Sequence, residues 1–100
     1  MDTQYQFRVY TLRSSEGLTT YLNVWGKHIP SLARHRIMVH RIWTKAETPQ
    51  LAALVSFAKG DDPEEREQAY MTSADFRSDM VGFDMGQIMS VESIRLVLSA

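Results

Sequence analysis

Two arginines and one tyrosine are the side chains of this sequence best suited to hold a small acidic molecule. Arg8 and Tyr10 lie in an aromatic, β-branched segment near the start of the chain, and Arg95 lies in a similar segment near its end. Arginine keeps its proton, so a buried guanidinium requires an acceptor, and its planar fork suits a carboxylate. Two interpretations stay open. The arginines pair with carboxylates such as Glu92 or Asp84, of this chain or of a partner subunit, or they anchor an anionic ligand to which Tyr10 also donates a hydrogen bond.

The three histidines differ in the chemistry that they could support. His28 and His35 are seven residues apart, which is about 10.5 Å of rise along a helix, so one metal ion cannot bind both. No His-x-x-x-His or Glu-x-x-His spacing occurs, and we predict no metal site.

His40 lies on a predicted strand, out of phase with Trp43. If His40 faces a cavity it is the natural catalytic acid or base, because imidazole titrates near neutral pH; otherwise it is an ordinary polar strand residue. Trp43 is a candidate for the mouth of such a cavity, since aromatic residues are frequent in small-molecule pockets.

β-branched and aromatic residues concentrate in four segments that are typical of strands. The predicted strands are residues 4–12, 37–46, 51–59 and 90–98.

The segment after the first strand has the periodicity of a helix. Ser14 or Ser15 can cap it, with Glu16 in the first turn. Its apolar stripe consists of Leu18, Leu22, Trp25, Ile29 and Leu32. Pro30 lies inside this stripe and clashes with the carbonyl group of residue 26, so we predict a kink there or two short helices. We place Trp25 in the core.

The start of a second helix is the clearest local signal. Asp62 is a suitable cap, Pro63 occupies the first helical position, and Glu65 completes a capping box. We therefore predict a helix over residues 63–72 and a short helix that restarts at Ser73.

This order of elements predicts an α+β fold of the ferredoxin-like βαββαβ type, formed as one domain by residues 1–100. In that topology two helices cover one face of a four-stranded antiparallel sheet. We place Arg8, Tyr10 and Arg95 on the other face, which also carries apolar residues. A half-apolar sheet face is usually covered by another subunit, by a ligand or by both, so we expect a homodimer.

Composition excludes several classes of function. The 100 residues carry a net charge of −1 and no cysteine, so disulfides and thiolate metal sites are excluded and nucleic-acid binding is not expected. No apolar run approaches the roughly 20 residues that cross a membrane, and residues 1–20 do not resemble a signal peptide, so we expect a cytoplasmic protein with no membrane partner. The sequence also has no glycine-rich phosphate loop and no Gly-x-Ser-x-Gly motif, and we predict no cofactor.

Charge is unevenly distributed along the chain. Residues 17–46 contain five Lys or Arg residues and no acid, whereas residues 61–84 contain eight acids and two arginines. The two segments form either solvated faces of opposite sign, or a basic rim or self-complementary surface in a dimer.

Several short strings along the chain resemble the NIPSNAP family. They are Phe7-Arg8-Val9-Tyr10-Thr11-Leu12, Tyr21-Leu22, Trp25, Ile29-Pro30, His35, Trp43-Thr44, Arg66 and Val91-Glu92-Ser93-Ile94. The resemblance covers nearly the whole chain. It implies a dimeric α+β barrel, in which two ferredoxin-like subunits pack their free sheet faces together around a cavity.

We therefore predict a homodimer that binds a small, partly apolar, anionic molecule in a cavity of each subunit. In its enzymatic form, such a protein would catalyse proton transfer, cyclisation or oxygenation of an acidic or aromatic substrate without a cofactor. Arg8, Tyr10 and Arg95 would hold the anion, Trp43 would line the cavity, and His40 would move the proton. The alternative is a non-enzymatic interaction or scaffold module that only dimerises through its sheet face.

Overall fold

The computed structural model describes residues 3–45 and 47–97, which form four strands and three α-helices. In chain order they are β1 (Gln4–Leu12), α1 (Ser15–Arg34), β2 (Ile37–Thr44), β3 (Gln50–Phe57), α2 (Pro63–Met71), α3 (Ala74–Asp79) and β4 (Ile88–Leu96), with a 3-10 turn over Met85–Gln87 before β4. The predicted order of elements is confirmed, and α3 is the predicted restart after the second helix.

The strands form one antiparallel sheet in the order β2-β3-β1-β4. β1 and β3 therefore lie in the centre, and β2 and β4 form the edges. Helix α1 packs against one face, where Trp25 meets Tyr10 of β1 with ring centroids 5.7 Å apart. This is the ferredoxin-like arrangement of an α+β fold, as predicted. Within the described ranges, no helix combines the length and the apolar character that crossing a membrane requires.

Helix α1 is continuous through Pro30, so the expectation of two short helices was wrong. Proline removes one hydrogen bond from a 20-residue helix whose inner face is packed against the sheet, and that loss is tolerated. Ser14 caps the helix by accepting a hydrogen bond from the Gly17 amide at 2.9 Å.

The buried face of α1 is rotated from the predicted apolar stripe. Leu22 and Ile29 of that stripe are exposed, and Tyr21 and His28 are buried instead. Consecutive residues of a helix project about 100° apart around its axis. Aromatic rings at positions 21 and 28 fill the space above the sheet, so the helix turns them inward.

The structure corrects the predicted sheet faces. Arg8 and Tyr10 lie on the helix-covered face, not on the face free of helices. The pairing of Arg8 with Ala53 places them beside the buried side chains of β3. Arg95 pairs with Gln6 and therefore shares this face with Arg8. Hydrophobicity could not decide, because β1 carries Tyr10 and Leu12 on one face and comparable apolar residues on the other.

The face free of helices, called here the open sheet face, is more apolar than polar. Strand pairing and side-chain alternation assign its members. They are Tyr5, Phe7 and Val9 of β1, Met38, His40, Arg41 and Trp43 of β2, Ala52, Leu54 and Ser56 of β3, and Glu92, Ile94 and Leu96 of β4. Several of these large apolar side chains are exposed, including Met38, Trp43 and Ile94.

The basic and acidic segments of the chain meet each other within the fold. Asp75 of α3 lies 3.1 Å from a guanidinium nitrogen of Arg34 and 3.1 Å from Nε2 of His35. Arg36 lies 3.1 Å from Asp61. The solvent-exposed pair of Arg34 and Asp75 contributes little to stability, because water and ions screen the two charges.

Candidate ligand cavity

A cavity of about 340 Å³ lies between the helix-covered face of the sheet and the helices. Its lining is mostly aromatic and apolar. The lining residues are Arg8, Tyr10, Tyr21, Trp25, His28, Leu32, Glu67, Tyr70, Met71, Phe76, Met80, Met85, Ile88 and Val91.

Three aromatic residues form one wall of this cavity. Tyr10 of β1 lies against Tyr21 and Trp25 of α1, with ring centroids 5.4 and 5.7 Å apart. Trp25 is 1 % exposed, which confirms its predicted place in the core. Its indole nitrogen is buried and has no hydrogen-bond partner of normal geometry among the described residues. The wall therefore offers flat apolar surfaces to a ligand.

Arg8 is the one arginine of the cavity lining, and it is already paired. Its Nη2 lies 2.6 Å from Oε1 of Glu67, and Gln6 Oε1 accepts longer hydrogen bonds of 3.2 and 3.3 Å from the same guanidinium. The Arg8 side chain is 5 % exposed and that of Glu67 is 33 % exposed. Burial lowers the pKa of Arg8, but Tyr10 and Glu67 raise it by more, and the pKa lies above its ordinary value.

This ion pair identifies the carboxylate partner of Arg8, which the sequence left open. The partner of Arg8 is Glu67 on α2, and not Glu92 or Asp84 as the sequence predicts. Arg8 and Glu67 also line a second, more open cleft of about 200 Å³, together with Tyr10 and Val91. The ion pair thus lies between the cavity and the outer cleft.

A second polar cluster reaches the cavity through two lining residues, His28 and Tyr70. His28 Nδ1 lies 3.2 Å from Asp79 Oδ2 and within hydrogen-bond distance of the Tyr70 hydroxyl. Tyr70 donates to the same Asp79 oxygen at 2.8 Å, and Ser31 donates to the other Asp79 oxygen at 3.0 Å. The cluster joins all three helices through one carboxylate.

Burial and hydrogen bonding shift the pKa values of this cluster in different directions. Burial lowers the pKa of His28, and Asp79 offsets part of that effect, so the imidazole is neutral at pH 7. Burial raises the pKa of Asp79, but hydrogen bonds from Ser31, Tyr70 and His28 lower it by more, and it stays ionised. Burial and Asp79 together raise the pKa of Tyr70 far above its ordinary value, so the phenol keeps its proton.

The predicted site residues fall in three places. Arg8 and Tyr10 line the cavity. Arg95 is exposed near the end of β4 and makes no ion pair with the described residues. His40 and Trp43 lie on the open sheet face, on the other side of the sheet from the cavity.

A bulge in β2 explains the position of His40. Val39 pairs with Val55 and Arg41 pairs with Leu54, so His40 is an extra residue opposite a regular strand. The bulge turns His40 onto the face that carries Trp43, although the two were expected out of phase. His40 Nε2 lies 2.7 Å from Ser56 Oγ on this face.

Sequence reasoning missed five residues that supply most of the polar chemistry of the cavity: Tyr21, His28, Glu67, Tyr70 and Asp79. The spacing of aromatic residues on α1 was a usable signal. Steps of four and three residues place Tyr21, Trp25 and His28 on one face of that helix. Glu67 and Tyr70 are likewise three residues apart on α2. Nothing local marks Asp79, since it reaches His28 only through the packing of α3 on α1. In residues 3–45 and 47–97, no three His, Asp or Glu side chains are placed to share a metal ion.

A ferredoxin-like sheet with an aromatic cavity beneath its helices defines the structural class of this molecule. The NIPSNAP family model matches residues 5–100, so the chain belongs to the NIPSNAP family, as its sequence resemblance implied. No curated protein sequence matches the chain.

Solved structures of low sequence identity share the fold. A NIPSNAP family protein of unknown function from Agrobacterium tumefaciens is similar with a TM-score of 0.76 at 19 % identity, covering 95 % of this chain and 86 % of that one. A second NIPSNAP family protein from the same organism gives a TM-score of 0.78 at 17 % identity, covering 97 % and 93 %. A Bacteroides thetaiotaomicron protein proposed to be an antibiotic biosynthesis monooxygenase gives 0.70 at 15 % identity, covering 97 % and 90 %.

Proposed function

We propose that this protein binds a small, largely apolar, weakly acidic organic molecule in the cavity between its sheet and its helices. The observation that carries the proposal is the cavity itself, which is apolar except for two compact polar clusters, Arg8–Glu67 and His28–Tyr70–Asp79. Its volume of about 340 Å³ falls within the range of roughly 300–1,000 Å³ that is usual for small-molecule sites. Aromatic walls with a few convergent polar groups favour a planar, aromatic or enolic ligand.

The pairing of Arg8 with Glu67 bears on the charge of the ligand. A fully ionised carboxylate would have to displace Glu67 from a hydrogen bond of 2.6 Å. A phenol or an enol enters without that exchange and can still use polar groups of the cavity. The anionic ligand predicted from the sequence therefore becomes, in this proposal, a weak acid that is neutral when it enters.

The proposal includes a homodimer formed through the open sheet face. Met38, Trp43 and Ile94 expose large apolar surfaces there, and a contiguous apolar face of this kind is usually covered. A second copy offers the same apolar face, and a two-fold symmetric interface uses the same patch on both subunits. In this proposal His40 and Trp43 belong to the interface and Arg95 has no contact with the ligand.

If the protein is an enzyme, the proposal is that it transforms its bound molecule without a cofactor. We also propose that the protein is cytoplasmic. The similarity to the Bacteroides protein concerns the fold alone at 15 % identity, so its proposed chemistry is not transferred. Proton transfer is the reaction that the cavity's own side chains support, because the lining includes a neutral imidazole beside an ionised carboxylate.

Native mass spectrometry of the untagged protein, as purified, tests both parts together. A dimer that carries additional mass supports the proposal, and that mass begins to identify the ligand. A monomer contradicts the dimer. An empty dimer shifts the question to whether the cavity accepts an added probe.

Titration calorimetry with 2-naphthol answers that question, because this probe is planar, weakly acidic and neutral at pH 7. Val91→Trp places an indole at the edge of the cavity, since Val91 lines it from β4, and should weaken 2-naphthol binding at least about tenfold. Val81→Trp is the matched control, because Val81 is exposed and does not line the cavity. Absence of binding to the wild-type protein, or equal weakening by both variants, contradicts the proposal.

The alternative function is an interaction module without a ligand. The open sheet face favours it, because that apolar surface needs a partner whether or not the cavity is used. An empty dimer that binds no 2-naphthol is the result that selects this alternative.

A further inference from the structure

His28 has one ring nitrogen fixed and the other free. Nδ1 lies against Asp79 Oδ2 and the Tyr70 hydroxyl, and Tyr70 already donates its proton to Asp79. An ionised carboxylate only accepts hydrogen bonds, so the contact between Nδ1 and Asp79 is a hydrogen bond in the tautomer that carries the imidazole proton on Nδ1. The second nitrogen, Nε2, then holds the lone pair.

Nε2 makes no hydrogen bond to any residue of the ranges 3–45 and 47–97, and His28 is part of the cavity lining. The ring is also held in orientation. Phe76 stacks on it with an interplanar angle of 4°, and Tyr21 and Trp25 meet it edge-on. A buried imidazole with a fixed tautomer, a fixed plane and an unused basic nitrogen is arranged as a proton acceptor.

We propose that His28 is the general base of this cavity, that Nε2 takes a proton from an acidic C–H or O–H group of the bound molecule, and that Asp79 is its positioning residue. This inference rests on the proposed function, since it needs a ligand in the cavity. In the step, the N–H bond forms at Nε2 and the C–H or O–H bond breaks. The electron pair stays on the ligand as an enolate or phenolate. Return of the proton to another atom of the ligand completes an isomerisation, for which no oxidant or reductant is needed.

Asp79 stabilises the imidazolium that forms, because its carboxylate faces Nδ1 at 3.2 Å. Ser31 and Tyr70 hold that carboxylate through both of its oxygens. The charged group in contact with His28 is Asp79 on α3. Glu67 on α2 and Arg8 on β1 also act on His28 electrostatically, and their opposite charges offset each other. The step therefore converts a neutral base beside one anion into an ion pair, inside an apolar lining.

The test uses 5-nitrobenzisoxazole, a neutral planar probe whose ring opens to a coloured phenolate when a base removes its C–H proton. The proton goes to the base and the N–O bond breaks, so the reaction needs no other reagent. We expect the wild-type protein to accelerate this opening, and His28→Gln to reduce the rate about 100-fold, which is the lower range for general base catalysis. Asp79→Asn should also reduce the rate, and rescue by Asp79→Glu would separate positioning from packing.

His35→Gln is the matched control. His35 also lies 3.1 Å from an aspartate oxygen, on Asp75, but it does not line the cavity. Its replacement should leave the rate of ring opening unchanged. Equal rates for the wild-type protein and His28→Gln, with both folded, overturn the inference.

Binding of 2-naphthol distinguishes a failure of the inference about His28 from a failure of the proposed function. If His28→Gln and the wild-type protein both bind 2-naphthol but neither opens the benzisoxazole, the cavity binds ligands and His28 is not its base. If neither binds, the proposed function itself fails. Should His28→Gln not fold, the ¹⁵N chemical shifts of His28 in the wild-type protein decide instead. A proton on Nε2 at pH 7 rather than on Nδ1 overturns the inference.

Discussion

Asp79 is the residue on which the helical layer depends. It lies on the shortest α-helix, yet its two oxygens accept hydrogen bonds from Ser31 of α1 and Tyr70 of α2, and one of them also faces His28. A buried carboxylate without donors would be strongly disfavoured. The donors come from two other helices, so the buried carboxylate of Asp79 has its hydrogen-bond partners only when all three helices are in place.

This cluster makes stability depend on pH. The pKa values of His28 and Asp79 are both lowered in the folded state, so the unfolded chain binds more protons and acid favours unfolding. The contribution of His28 should be lost as the pH falls below its ordinary pKa of 6.5, and that of Asp79 as the pH falls below 3.8. Urea unfolding at pH 7.5 and 5.5 should give a lower midpoint at pH 5.5.

Substitution of His28 checks the assignment. His28→Gln should reduce the difference between the two urea midpoints, because glutamine does not titrate. Leu22→Gln on the exposed side of α1 changes no titratable group and should keep the wild-type difference. An unchanged difference in His28→Gln would contradict the assignment to His28.

At Arg8, one substitution should change which ligands the cavity prefers. In Glu67→Gln the guanidinium remains buried but loses its ionised partner, and an entering carboxylate would restore the ion pair. We expect the affinity for 2-naphthoate to rise at least about tenfold, or ~1.4 kcal/mol, while that for 2-naphthol changes little. Titration calorimetry measures both.

Glu65→Gln is the control for this change. Glu65 lies on the same helix, is exposed and lines neither the cavity nor the outer cleft. If Glu67→Gln and Glu65→Gln change the affinity for 2-naphthoate equally, overall charge is responsible and the ion pair is not.

Among the elements, β2 differs from the others because of its bulge at His40. The residues on either side keep the alternation of a regular strand, with Val39 and Ile42 toward the core and Arg41 and Trp43 on the open sheet face. The bulge therefore adds a side chain to the open sheet face without displacing its neighbours.

Deletion of His40 should consequently be tolerated. The shortened β2 would keep every remaining side chain on its present face, so we expect a folded protein with stability within about 1–2 kcal/mol of the wild type. Deletion of Leu54 from the regular strand β3 is the control. It would move Ala52 and Ala53 each to the face of the sheet that it does not now occupy, and it should prevent folding. Thermal unfolding followed by circular dichroism distinguishes the two. Failure of both deletions to fold would show that the bulge is structurally required.

Local signals predicted the elements well and their faces poorly. Ser14, one of the two predicted candidates, and Asp62 are helix caps and accept hydrogen bonds from the Gly17 and Glu64 amides, because a cap depends only on residues nearby. The choice of face in β1 depends on pairing with β3, whose residues lie about 40–50 positions away in sequence. The same limit applies to the cavity, where Arg8 and Tyr10 were recognised as site candidates but Asp79 could not be matched to His28 without the packing of α3.

For the whole molecule, the open sheet face is the feature that bears on assembly. Ile94 lies on this face opposite Phe7 and is 53 % exposed, so a glutamate there should be accepted by the single chain. In the proposed dimer the same glutamate would be buried against a second apolar face. We expect Ile94→Glu to raise the dimer dissociation constant at least about 100-fold, which corresponds to ~2.7 kcal/mol.

Leu22→Glu provides the comparison. Leu22 is 42 % exposed on the helical side of the molecule, away from the open sheet face. Sedimentation velocity should show a monomer for Ile94→Glu and an unchanged dimer for Leu22→Glu. A dimer lost only in Leu22→Glu would place the interface on the helices instead.

The division of the cavity lining between segments has an evolutionary consequence. Arg8, Tyr10 and His28 come from β1 and α1, whereas their acidic and phenolic partners Glu67, Tyr70 and Asp79 all come from residues 63–79. One contiguous stretch of codons thus encodes the groups that pair with Arg8 and with Nδ1 of His28. Mutation or recombination confined to that stretch can give a descendant a new ligand preference while the sheet, and the face proposed for dimerisation, are inherited unchanged.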